Sequence, residues 1–276
     1  MFVSYIIIAF IGLLAGGIVN ALADDLPHYQ RPRLPHYPDG TPRPVKAWLG
    51  VSAFLLGKRS SVGGAKLSWR YPLVEIGTAL LMLLTLIVAQ TSTGDRTVSS
   101  LQLVFWLTYM AIFVLITVID LEHKLILFSV MIPCYILAIL DAVLTPIYRE
   151  PGLDRAILGG LIGFGVFFLL YIGGYVYVYL VNKLQGRNIN EVAFGYGDVM
   201  MATFSGLILG PEPLYFAMFL TVFLGAGGAI LWLISRRLSG TGYSMFTALP
   251  YGPYIVAGTI IILLFSAQVR LMVVGY

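Results

Sequence analysis

Two aspartates stand where a charge is costly. Asp198 closes the stretch Asn190-Glu191-Val192-Ala193-Phe194-Gly195-Tyr196-Gly197-Asp198 and opens the run Val199 to Leu209, which carries no charge. Asp120 follows the run Phe113 to Ile119, built of apolar residues and one threonine. Ionisable groups at the ends of membrane spans are candidates for function, because burying them there is expensive. Two carboxylates within hydrogen-bonding distance cannot both ionise easily, so near neutral pH they share one proton, one acting as base and the other as acid. The ionised member can take a proton from a water attacking a peptide carbonyl while the protonated member donates to the carbonyl oxygen. Such a dyad titrates as a pair, which leaves the roles unassigned between the two residues. Gly195 and Gly197 are expected to allow an irregular backbone beside the acid. Asp198 also has a structural reading as the N-terminal cap of the helix it opens.

The elements that must hold these acids follow from composition. Of 276 residues 59% are hydrophobic and 11% charged, too apolar for a soluble core. Spans of about 20 apolar residues cross a bilayer as helices, and continuous runs without alternation choose helices over a barrel. The single cysteine, Cys134, excludes an intramolecular disulfide and a cysteine-rich zinc site. His28, His36 and His123 lack the spacing of a metal site.

An all-α polytopic protein of about eight transmembrane helices is therefore expected, in three parts: a first helix over 1–23, a basic loop domain over 24–70, and seven helices over 71–276. Ala21-Leu22-Ala23 imitates a cleavage site, but the first five residues carry no Lys or Arg, so a retained span is expected. Six prolines between Pro27 and Pro44 prevent a long helix there, and Val45 to Leu56 reads as a short amphipathic helix. The later spans are expected at Tyr71–Ala89, Leu101–Ile119, Leu125–Ile147, Ala156–Val181, Val199–Gly210, Leu214–Ile234 and Leu249–Val269. Alternation then puts 13 of the 17 basic residues on one side, which that asymmetry makes cytoplasmic, with both termini outside and Asp120 and Asp198 on the same face.

The run Val199 to Gly210 has 12 residues, about 18 Å of helix at 1.5 Å per residue. It must be shielded by neighbours or lead into a wet pocket. Glycines four apart, Gly12 with Gly16, Gly159 with Gly163 and Gly206 with Gly210, mark close helix contacts, as does the cluster Gly225, Gly227 and Gly228. No internal sequence repeat is visible. Tyr171, Tyr175, Tyr177 and Tyr179 read as packing or interfacial anchors.

Several stretches carry a family resemblance. Gly195-Tyr196-Gly197-Asp198-Val199-Met200 resembles the signature of the GxGD membrane aspartyl proteases. Gly16-Gly17-Ile18-Val19-Asn20 with Leu26-Pro27, Arg70-Tyr71-Pro72-Leu73-Val74-Glu75, Ile119-Asp120-Leu121-Glu122-His123 and Leu249-Pro250-Tyr251-Gly252-Pro253 are similar, in family order, to motifs of bacterial type 4 prepilin peptidases. The resemblance implies an enzyme of the cytoplasmic membrane that removes the short basic leader from type IV prepilin or pseudopilin precursors at the cytoplasmic face. Asp120 and Asp198 would be the catalytic pair, and many members also methylate the new N-terminus with S-adenosylmethionine. Two Cys-x-x-Cys pairs usual in the first cytoplasmic loop are absent, so no zinc is expected and the loop must be held otherwise. Leu127-Phe128 replaces the usual Pro-Asp or Pro-Asn, while Asn20 and Arg70 to Glu75 keep methylation open.

Glu75 and Glu122 are candidate auxiliary residues. Each also has a bland reading, Glu75 as an acid favoured by its own helix dipole and Glu122 as a partner of Lys124. The basic loop fits anionic lipid rather than nucleic acid. Two other readings stay open: a proton-coupled transporter with the acids as relay, and an inactive scaffold in pilus assembly.

Overall fold

A computed structural model describes residues 2–91, 98–145, 152–185, 195–238 and 250–274. Asn190 to Phe194 and Leu249, quoted above, lie outside the described residues. The chain forms two compact units, Met1–Leu127 and Phe128–Tyr276. The first holds α1 (Phe2–Asp25), α2 (Gly50–Leu55), α3 (Arg70–Thr91) and α4 (Ser100–His123). The second holds α5 (Phe128–Leu144), α6 (Leu153–Gln185), α7 (Tyr196–Leu209), α8 (Pro211–Leu238) and α9 (Gly252–Val274). All eight expected spans are met by a helix, and the protein is an all-α, multi-pass membrane protein. Helices α1, α3, α4, α6 and α8 are long and apolar enough to cross a membrane, and α5, α7 and α9 contain shorter apolar runs.

In the first unit α1 and α3 approach as closely as backbones allow. A Cβ added at Gly12 would sit 2.5 Å from the Ala79 Cα, and one at Gly16 2.5 Å from the Glu75 Cα. Only small residues permit that approach, and it brings Asn20 of α1 against the start of α3. Helix α4 begins at Ser99, whose hydroxyl accepts from the Gln102 N–H at 3.1 Å. It ends at Lys124, left-handed at φ 54°, whose N–H donates to the Asp120 carbonyl at 2.9 Å.

The loop between α1 and α3 is held by two turns of the same backbone form. In the first, the Tyr37 N–H donates to Thr41 O at 2.8 Å, Gly40 to Tyr37 O at 2.8 Å and Arg43 to Pro35 O at 2.9 Å. The same three bonds recur 24 residues later: Ser61 to Ala65 O at 2.8 Å, Gly64 to Ser61 O at 3.1 Å and Leu67 to Arg59 O at 2.9 Å. Gly40 and Gly64 take φ 80° and 86°, a region that favours glycine. The two turns share their backbone form without a sequence repeat, since the stretches have only the glycine in common.

Asp39 staples the turns together. Its carboxylate accepts from the Ser61 hydroxyl at 2.5 Å, the Thr41 hydroxyl at 2.6 Å and the Thr41 N–H at 3.1 Å. These bonds, Ser61 first, hold its carboxyl below the usual pKa. Tyr37, Ala47, Ala53, Leu67 and Tyr71 form a small core beneath, with Phe54 against it. Arg43 is buried there, its Nε donating to His36 O at 2.8 Å and its guanidinium 4.5 Å from the Tyr71 ring centroid. Burial pulls the Arg43 pKa below its usual value, partly offset by Tyr71 and Asp24.

The single helix expected over Val45 to Leu56 is instead a 3₁₀ turn, Val45–Ala47, followed by α2. Leu49 is extended between them, at ψ 141°. The break lets Gly50 press on α3, where a Cβ would lie 2.6 Å from the Tyr71 Cβ, and lets Glu75 reach the first amides of α2.

In the second unit the buried helix is α7. Eleven of its 14 residues, Asp198 to Met201, Ala202 and Phe204 to Leu209 among them, are buried, so its neighbours shield the short span as one of the two expected alternatives required. Gly159 and Gly163 of α6 face Gly206 and Ala202 of α7 at backbone contact. The Ser205 and Thr259 hydroxyls, 2.7 Å apart, join α7 to α9, and the Tyr135 hydroxyl donates to Met200 O at 3.0 Å to join α5 to α7. Gly225 and Gly228 of α8 lie against Tyr251 and Tyr254, whereas Gly227 faces open space. Gly210, at φ 74°, is the only residue between α7 and α8, and Pro211 is the first residue of α8.

Candidate active site

Each unit presents one of the two aspartates. Asp120 lies in the last turn of α4 and is 6% exposed. Glu122, two residues on, accepts from Arg70 Nη1 at 2.6 Å, so its partner in the structure is α3. Arg70 Nη2 donates to the Asp24 carboxylate at the end of α1 and to Asn20 O at 3.4 Å. The guanidinium also lies 4.4 Å from the centroid of the Tyr71 ring, and the Tyr71 hydroxyl donates to Asp24 at 3.1 Å. One arginine therefore ties the ends of α1, α3 and α4 together.

Glu75 is fully buried and acts on another helix, not its own. It accepts from the Gly50 N–H at 2.5 Å, the Val51 N–H at 2.8 Å and the Asn20 Nδ2 at 3.4 Å, closing the N-terminus of α2 onto α3. Asn20 donates in addition to Tyr71 O at 3.0 Å. Beside this knot is a pocket of about 260 Å³, lined among others by Asp24, His28, Tyr37, Arg70, Glu122 and His123. The rings of His28 and His123 meet edge to face, 5.5 Å apart, across it.

In the second unit Asp198 is 8% exposed. It is not the N-cap: Gly195 is, with extended φ −85° and ψ 161°, and Asp198 is the third helical residue. Its carboxylate reaches back to accept from the Gly195 N–H at 2.9 Å, while its own N–H donates to Gly195 O at 3.1 Å. The irregular backbone expected of the two glycines is thus an ordinary extended residue followed at once by helix, with Gly197 in the first turn. A Cβ at Gly195 would come no closer than 3.9 Å to the Asp198 carboxylate, ordinary van der Waals contact. Tyr196 stacks on Phe128 at 5.8 Å and meets Tyr171 edge-on at 5.8 Å, giving one of the α6 tyrosines a packing role. Tyr251, from the last-span motif, lies within electrostatic reach of Asp198.

Asp24, Arg43 and Tyr71 were missed as site residues by sequence reasoning. Asp24 and Arg43 sit in a stretch rich in charges that reads as solvated, and no local spacing links them to Arg70. The motifs Gly16 to Asn20, Arg70 to Glu75 and Ile119 to His123 were the signals pointing at this corner.

Residues 103–230 match the type IV leader peptidase family. This stretch is similar to type IV leader peptidases. It contains both Asp120 and Asp198. The chain is 28% identical over 226 residues to the prepilin leader peptidase/N-methyltransferase of Dichelobacter nodosus, covering 82% of this chain and 66% of the relative. It is 28% identical over 222 residues to the protein of that name from Aeromonas salmonicida, covering 80% and 65%. A third, from Pseudomonas putida, is 28% identical over 226 residues, covering 79% and 68%. The chain thus spans about two thirds of the length of these relatives. No solved structure matches it significantly.

Proposed function

We propose that this protein is an aspartyl endopeptidase of the cytoplasmic membrane that removes the short basic leader from type IV prepilin or pseudopilin precursors. The observation that carries the reading is that the leader-peptidase stretch supplies two aspartates, Asp120 and Asp198, each nearly buried at the end of an apolar helix. Ionisable groups at such positions are expensive to bury and are by default candidates for function.

Brought together on substrate, the pair holds one proton. The ionised carboxylate takes a proton from water as its oxygen bonds to the scissile carbonyl carbon, and the protonated one donates to the carbonyl oxygen. The proton taken from water then passes to the leaving amine as the C–N bond breaks, while the other carboxylate takes a proton back from a hydroxyl of the gem-diol as the C=O bond re-forms, which restores the singly protonated pair. The excess of basic residues on one set of loops supports a cytoplasmic site and contact with anionic lipid.

The relatives' names add N-methylation. The pocket of the first unit combines carboxylates (Asp24, Glu122), a guanidinium (Arg70) and rings (Tyr37, His28, His123). This set fits the charged amino-acid end of S-adenosylmethionine, although at about 260 Å³ the pocket is below the roughly 300–1,000 Å³ that encloses a drug-sized ligand. Asp24, Glu122 and Arg70 would hold that end, and the donor would supply a methyl group to the new terminal amine.

The test is cleavage of a prepilin-like substrate in detergent by wild type, Asp120→Asn and Asp198→Asn, with products weighed by mass spectrometry. Cleavage by wild type alone is expected. Persistence in either variant refutes the dyad; no cleavage of any precursor by wild type moves the transporter or scaffold reading ahead.

A further inference from the structure

We infer that Arg70 and Glu122 form a positioning device for Asp120, a hydrogen-bonded stop that sets the rotation of the last turn of α4. The inference rests on the reading of Asp120 as catalytic, and begins from helix geometry. Residues advance about 100° around an α-helix, so Glu122 projects about 200° from Asp120, to nearly the opposite side. Whatever holds Glu122 on one side therefore aims Asp120 on the other.

What holds Glu122 is unusually fixed for a side chain that is 38% exposed. Arg70 is itself pinned: one arm of its fork is on Glu122, the other on Asp24 of α1, and the guanidinium face lies on Tyr71, whose hydroxyl returns to the same Asp24 carboxylate. A planar fork serving two carboxylates on two helices is a task lysine cannot reproduce. The turn that Arg70 steadies needs steadying. It is terminal, its final residue His123 is followed by a left-handed Lys124, and the Asp120 carbonyl is spent on closing the helix.

The stakes follow from distance. A carboxylate about 5–6 Å from the helix axis moves about 1 Å for a rotation of about 10°. A misplacement of about 1 Å at a reacting centre costs up to about 100-fold in rate. Glu122 thus acts through Arg70 and the helix and not on the substrate.

The test uses the full chain in detergent, without methyl donor, comparing wild type, Asp120→Asn, Glu122→Ala, Glu122→Gln and Arg70→Lys. Prepilin cleavage is followed across pH, alongside hydrogen exchange of the peptide 113–124. Glu122→Ala is expected to lower kcat by about 10- to 100-fold with KM within about threefold, an unchanged pH profile, and faster exchange confined to the end of α4. Glu122→Gln, whose amide oxygen still accepts from Arg70, is expected to recover most of the rate, and Arg70→Lys to resemble Glu122→Ala. Full kcat in Glu122→Ala beside an inactive Asp120→Asn overturns the inference alone. A Glu122→Gln as damaged as Glu122→Ala also overturns it, since the charge and not the tie would then matter. An active Asp120→Asn overturns the catalytic reading, and the inference with it.

Discussion

Glu75 offers a prediction whose size can be worked from its contacts. Replacing it with alanine strips acceptors from the Gly50 and Val51 amides at the buried start of α2, while the Asn20 amide keeps its bond to Tyr71 O. A buried donor left unpaired costs about 1–3 kcal/mol, so two orphans cost about 2–6 kcal/mol. Helix α2 has only six residues and can open to water, which puts the cost nearer the lower half, about 3 kcal/mol. At 1.4 kcal/mol per tenfold, that is about 150-fold more of the open form. Glu75→Gln keeps one acceptor oxygen and turns the other into a donor, losing one bond, so about 5- to 30-fold is expected. Hydrogen exchange of residues 50–58 in detergent reads this population, through amides such as Ala53, bonded to Leu49 O, and Leu56, bonded to Ser52 O. An increase of less than about threefold in Glu75→Ala would show that the carboxylate does not hold α2 to α3.

Two further outcomes follow from the same structure. Gly206→Ala, whose Cβ meets the Gly159 backbone, should cost about 1–3 kcal/mol by overpacking and lower the melting temperature in detergent, whereas Gly165→Ala on the open side of α6 should not. Asp39 titrates in the folded chain below its unfolded value of about 3.9, so its stabilisation is complete above that value and fades as pH falls through the lower folded one. Loop melting followed by Trp48 and Trp69 fluorescence should therefore lose, in Asp39→Asn, part of the acid sensitivity that wild type shows below about pH 4.

Much of the scaffold was legible because lipid imposes simple rules. Runs of apolar residues had to be helices, and the glycine pairs Gly12/Gly16 and Gly159/Gly163 had to mark close seams, since nothing larger fits between those backbones. Asp120 and Asp198 were visible for the same reason: a lone acid beside an apolar run stands out. The loop was much less so. Its turns depend on backbone bonds and on one staple from Asp39 to Ser61, separated by 22 positions, which no local pattern announces. Glu75 was read against its own helix dipole because sequence distance hid the α2 amides 24 and 25 residues upstream. Glu122 was assigned to the nearby Lys124, while the bond to Arg70 crosses 52 residues. Asp198 was misplaced by three positions in its helix because a glycine, with no side chain to offer, took the cap and left the acid to reach back.

The one-residue joint at Gly210 decides what sets the depth of Asp198. With no slack between α7 and α8, the acid sits at the end of a rod of 12 residues, about 18 Å, measured from that joint. Helix α8 is long enough to span the bilayer and meets any change in its thickness by tilting. Helix α7, wrapped by protein, is gauged by α8 and not by lipid. Membranes of different thickness should therefore alter how this protein leans without altering how far the carboxylate stands from the joint.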